Sequence, residues 1–155
     1  MISFLPLIPL AYFGIRLSII DFKTHRLPNH LVGGFTAIEI LIMGVTSWLS
    51  SDRTRFVAAL GSAVITMFVY LLLYLASKGS LGMGDVKLAF PLGLCVGWYS
   101  ADYWLVATFV SFFIAGLVAI IGLATKRMTR KSRLAFGPYM FLGTLIVCGL
   151  AVFSQ

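Results

Sequence analysis

The stretch FVAALGSAVITMFVYLLLYLA, residues 56–76, runs for twenty-one residues without a charge. As a helix it is about 30 Å long, the thickness of a bilayer's hydrocarbon core. Inside lipid the backbone has no water to bond, so only helices and closed barrels span it. A barrel strand would alternate polar and apolar residues over about ten positions, and this stretch does not alternate. The rest of the chain agrees: 60% of its 155 residues are hydrophobic and 11% charged, against about 25% charged in soluble domains, and the mean hydropathy is +1.01. The chain reads as an all-α integral membrane protein.

Apolar runs separated by polar breaks predict six spans: residues 3–21, 31–50, 55–77, 85–99, 103–125 and 136–154. The fourth is short and contains Pro91, which removes a backbone donor and predicts a kink. The first has no basic residue ahead of it and no evident cleavage site, so it reads as a retained span rather than a signal peptide. Six spans leave no room for a separate soluble domain, and residues 1–155 are expected to form one transmembrane domain. Gly93 and Gly97, spaced as GxxxG in GLCVG, suit close helix approach.

The basic residues orient the bundle. With the N-terminus outside, the first, third and fifth loops hold Lys23, Arg26, Lys78, Lys87, Lys126, Arg127, Arg130, Lys131 and Arg133, whereas the other loops hold Arg53 and Arg55. This imbalance places the odd loops in the cytoplasm and accounts for most of the net charge of +7. The run KRMTRKSR reads as a cytoplasmic anchor near lipid headgroups. With no soluble fold to present these charges, nucleic-acid binding is not indicated. Cys95 and Cys148 lie inside predicted spans without CxxC spacing, and His25 and His30 lack further ligands, so no metal or other cofactor is expected.

Five acids remain: Asp21, Glu39, Asp52, Asp85 and Asp102. Asp52 and Asp102 fall in outer loops, as solvated charges or helix caps. Glu39 lies within the second span, where an ionisable group is either functional or paired, here with a base such as Arg16. Asp21 ends the first span and Asp85 opens the fourth, so topology brings both to the cytoplasmic face. Two carboxylates a few Å apart share a proton because both cannot comfortably ionise, the arrangement used by aspartic proteases.

Asp85 follows the glycine-rich segment GSLGMGD. The segment fits neither a phosphate-binding GxxxxGK[ST] loop nor a dinucleotide GxGxxG turn, and no strand precedes it. Gly82 and Gly84 tolerate positive φ and leave room for a substrate backbone beside the acid. A mobile loop over residues 77–84 would let the pair assemble around substrate, so a substrate-free chain is expected to show the carboxylates apart but facing one cavity.

GMGDVK resembles the GxGDxK motif of the type IV prepilin peptidase family of membrane aspartic proteases. DFKTHRLPN, residues 21–29, resembles that family's second motif, an Asp followed at fixed spacing by an Ile-Pro-Asn-like triplet, and FGPYM, residues 136–140, its FGP segment. The resemblance covers nearly the whole chain. It implies that Asp21 and Asp85 are the catalytic pair, cutting leaders from pilin-like precursors at the cytoplasmic face of the cell membrane. It implies supporting or substrate-binding roles for Pro28, Asn29, Gly82, Gly84, Lys87, Gly137 and Pro138. Leu27 stands where Ile is commoner, a volume-conserving change. Pro28 restrains the turn and Asn29 is suited to cap the second helix, so the triplet is expected to orient Asp21. Lys87 is expected to snorkel toward headgroups. Many bacterial members carry an additional methylating domain with cysteine motifs, whereas this chain begins near the first catalytic span and resembles the short, peptidase-only form. The partners so implied are a prepilin-like substrate and the bilayer.

Three other readings stand beside this one. A small ion- or proton-coupled transporter would string Asp21, Glu39 and Asp85 along a polar path, and a non-catalytic membrane partner would use its charges only for topology. Another intramembrane aspartic protease, lipoprotein signal peptidase-like or presenilin-like, would differ in span number, motif surroundings or length.

Overall fold

The computed structural model describes residues 4–77, 81–127, 129 and 134–154. Lys78, part of the glycine-rich loop at 78–80, and Arg130, Lys131 and Arg133 of the basic run lie outside the described residues. Among the described residues six helices follow one another: α1 (Leu7–Thr24), α2 (Asn29–Ser50), α3 (Arg53–Ala76), α4 (Met83–Gly97), α5 (Tyr103–Ala124) and α6 (Gly137–Phe153). Their bounds fall within a few residues of the apolar runs. Three of them, α2, α3 and α5, are long and apolar enough to cross a bilayer, and α6 is a shorter apolar helix. The chain is an all-α membrane protein.

Burial separates the helices into an inner one and outer ones. In α4, Leu88, Ala89, Leu92, Leu94, Cys95 and Val96 are all buried, and the helix packs on each of the other five. At 15 residues it spans about 22 Å, less than the hydrocarbon core. Being surrounded by protein, it has no need to bridge the lipid alone, and Pro91 sits within it. By contrast α5 buries only Ala107, Ser111 and Ala115, and turns Phe109, Phe113 and Ile120 outward. So extensive an apolar surface suits hydrocarbon and not water.

Small residues set the helix spacing. A Cβ on Gly93 would lie 2.8 Å from the Ala63 Cα, and one on Gly97 would lie 2.9 Å from the Ala59 Cα. The GxxxG face of α4 is therefore filled by α3 of the same chain, the close-approach geometry such motifs permit. Gly14 of α1 likewise lies against the Phe141 ring of α6. Two buried hydroxyls bond backward along their own helices, Thr66 Oγ1 to the Ser62 carbonyl at 2.6 Å and Ser111 Oγ to the Ala107 carbonyl at 2.7 Å. Such bonds satisfy donors that lipid cannot. At the loop between α2 and α3, Asp52 caps α3 by accepting the Arg55 N–H at 3.1 Å. Asp102 occupies the N-cap of α5 without a side-chain bond.

The turn from α1 to α2 differs in one respect from its expected design. Pro28, extended at ψ 125°, is the N-cap of α2, and no side chain caps that helix. Asn29 is already its first helical residue, with its amide oxygen engaged by Lys87. The turn is restrained by proline geometry rather than by an Asn cap.

Candidate active site

Asp21 lies on the last turn of α1, where its side chain is 5% exposed. Its Oδ2 accepts the N–H of Gly137 at 2.9 Å. Gly137 opens α6, so that N–H belongs to the first turn, whose amides have no intrahelical partners and attract negative charge. A Cβ on Gly137 would lie 2.9 Å from this same oxygen, which is why a glycine is needed for so close an approach. Pro138 follows inside the first turn of α6, where its missing N–H costs nothing.

Asp85 is held by a related device at the start of α4. It occupies the third helical position, and its Oδ2 reaches back to accept the Gly82 N–H at 3.0 Å. Each acid is thus fixed through one oxygen by a glycine amide at a helix N-terminus. The Oδ1 of each has no hydrogen bond among the described residues.

The two carboxylates line one cleft of about 320 Å³, and the charge of Asp21 acts on Asp85. Gly82, Gly84, Asn29 and Lys87 line it too, and Lys87 Nζ donates to Asn29 Oδ1 at 3.0 Å. Lys87 thereby ties α4 to the start of α2, beyond the headgroup-seeking role read from its position. Pro28 sits at the entry to α2; Gly137 and Pro138 stand behind Asp21 and do not line the cleft.

The glycines of GMGD work differently from the expectation. Gly82 is extended at φ −77°, which any residue adopts. A Cβ on Gly84 would meet the Leu27 Cβ at 3.0 Å. The space Gly84 leaves open is filled by the α1–α2 turn rather than kept for a substrate backbone. Gly84 thereby brings two chain segments together beside the acids.

The cleft also contains His25, Arg26, Leu27 and Met83, to which sequence reasoning had assigned no part in it. A signal was present, since three of them fall in the short gap between Asp21 and Pro28. Glu39 stands apart: it is fully buried, takes an S–H bond from Cys95 at 3.1 Å on Oε1, and has no partner on Oε2 among the described residues. Arg16 does not pair with it. That guanidinium donates to the Tyr12 hydroxyl at 2.8 Å, one turn back on α1 and exposed.

The fold and cleft define a helical membrane protein in which two carboxylates from separate helices meet at one cleft. Within that class, the chain belongs to the type IV leader peptidase family, whose model matches residues 8–123. Two curated relatives are similar to it: a prepilin leader peptidase/N-methyltransferase of Escherichia coli (strain K12), 27% identical over 88% of this chain and 59% of the relative, and one of Pseudomonas putida, 27% identical over 88% of this chain and 46% of the relative. The chain spans about half the length of the curated relatives it matches. No solved structure matches it. Gly137, the residue that clamps Asp21, lies beyond the family match.

Proposed function

We propose that this chain is a membrane aspartic endopeptidase that removes the leader from prepilin-like precursors at the cytoplasmic membrane face. The observation that carries the reading is that Asp21 and Asp85 share one cleft, each anchored by a glycine amide with its second oxygen uncommitted. Family membership and the resemblance to prepilin leader peptidases support the substrate class.

In this mechanism one carboxylate is ionised and its partner protonated. Water held between them attacks the scissile carbonyl carbon, gives a proton to the ionised acid, and the carbonyl oxygen takes the partner's proton. Collapse of the tetrahedral intermediate breaks the C–N bond. The amine leaves with the proton from the first acid, and the second recovers its proton from a geminal hydroxyl. The chemistry is general acid–base catalysis and calls for no side-chain nucleophile.

The basic loops support a cytoplasmic cleft in the cell membrane. There, an acid pair at the boundary meets the junction between a polar leader and an apolar helix at its own depth. Residues 1–155 act in this reading as a single peptidase domain. A transporter would need Glu39 on a path with the cleft, yet Glu39 is enclosed and does not line it. Incubating the detergent-solubilised protein with a prepilin substrate tests the proposal: the parent cleaves, whereas Asp21→Asn and Asp85→Asn do not. Cleavage surviving either change would refute the two-acid mechanism.

A further inference from the structure

Among the described residues, Arg16 is the one basic side chain placed deep within a helix; the others lie within about one turn of a helix end or in the turns between helices. It stands midway along the 18 residues of α1. Its Cα is about 12 Å from the end that carries Asp21, near the middle of a hydrocarbon core about 30 Å thick.

The side chain points out of the bundle. Leu10, Phe13, Gly14, Leu17 and Asp21 form the core face of α1, and Arg16 is exposed on the other side. Among the described residues its guanidinium makes one hydrogen bond, donated to the Tyr12 hydroxyl at 2.8 Å, and it lies 5.6 Å from the centre of that ring. Tyr12 is one turn further from the Asp21 end, so the side chain leans away from the nearer headgroups. A guanidinium keeps its charge. Held against hydrocarbon that charge is costly, and such groups ordinarily face a bundle interior, a water-filled cavity or an opposite charge.

No carboxylate of this chain supplies one. Asp21 and Asp85 stand at one end of the bundle, Asp52 and Asp102 at the starts of α3 and α5 at the other, and Glu39 is enclosed. These are all the acids in the sequence, so a second copy has none to offer at this depth either. The surface beside Arg16 is shaped for a helix: Ile8, Tyr12, Ile15, Ile19 and Phe22 are exposed and follow one another in steps of four, three, four and three. That spacing supplies the knobs of a left-handed helix pair. Apolar knobs alone suit lipid equally well, and it is the arginine at their flank that calls for a partner.

We propose that this face of α1 docks a transmembrane helix of another protein, one that carries an Asp or Glu near mid-span, and that this carboxylate pairs with Arg16. With Nη1 given to Tyr12, the remaining N–H groups suit the two oxygens of a carboxylate. The surface is turned away from Asp21 and is independent of the peptidase reading.

The test is energy transfer between labelled protein and labelled synthetic helices in phosphatidylcholine vesicles. The helices are Leu-rich, about 20 residues long, and alike except for one central residue, Glu or Gln. The parent should bind the Glu helix about tenfold more tightly than the Gln helix. A Glu moved two turns toward either end, about 11 Å, should lose that preference. Arg16→Gln should bind both central helices alike, whereas Arg16→Lys, which keeps a cation, should retain part of the preference. Both variants should melt in detergent as the parent does. Equal binding of the two central helices by the parent would overturn the proposal and leave a lipid phosphate as the counter-ion of Arg16. A preference that survives Arg16→Gln would overturn it too.

Discussion

Asp21 and Asp85 at one end of the bundle and Glu39 within it are all carboxylates carried into apolar helices, but they are held in opposite ways. The two aspartates each receive a backbone N–H and border a cleft. Glu39 has no exposure, one weak S–H donor from Cys95 and an oxygen with no partner among the described residues. Fixed amides orient a carboxylate and leave its other oxygen for chemistry. A sealed pocket with one thiol offers neither orientation nor access. Burial of an acid in a membrane helix is therefore a poor guide to catalysis unless its donors and its access are known.

The largest test of this contrast is chemical. Asp21→Asn and Asp85→Asn should each lower the cleavage rate by about a thousandfold or more, whereas Glu39→Gln should stay within about threefold of the parent, measured as initial rates on a prepilin substrate. Equal losses at all three positions would erase the distinction. Gly137→Ala sharpens it without touching an acid: the added methyl meets Asp21 Oδ2 and displaces it from its donor. The expected result is a fall in kcat of about ten- to a hundredfold with melting temperature little changed.

On the Glu39 side the effect should appear in stability. Glu39→Leu removes an oxygen left without a partner, and thermal melts in detergent should show it neutral or more stable by about 1 kcal/mol. Catalysis should remain. The smallest effect belongs to the rim of the cleft, where Lys87→Met breaks an exposed bond to Asn29. Loss of about threefold or less in kcat/KM, without loss of fold, is expected there.

Much of the fold was legible because lipid imposes a strong rule. A run such as residues 56–76 must close its own hydrogen bonds, and it appears as α3, Arg53–Ala76. Asp52 was read as a solvated charge or a cap, and it caps α3, a role the sequence could offer because capping is local, spanning three residues. Asn29 was misread on the same logic, since its side chain found Lys87, fifty-eight positions away, a competitor no local pattern contains. The roles of Gly84 and Gly97 were equally hidden. A glycine's spacing says that something approaches, and only the packed structure names Leu27 in one case and Ala59 and Ser62 in the other.

By itself the sequence determined that this chain is a helical membrane protein, where its helices run, and that Asp21 and Asp85 belong to one face. These follow from hydropathy and charge summed along the chain, quantities that tertiary packing does not alter. Only the tertiary structure decided that Gly137, 116 residues from Asp21, supplies its hydrogen bond. It also decided that His25 shares the cleft and that Glu39 is closed away from it. Hydrogen bonds and screened charges act over a few Å, and which groups come that close is set by how helices from distant parts of the chain pack.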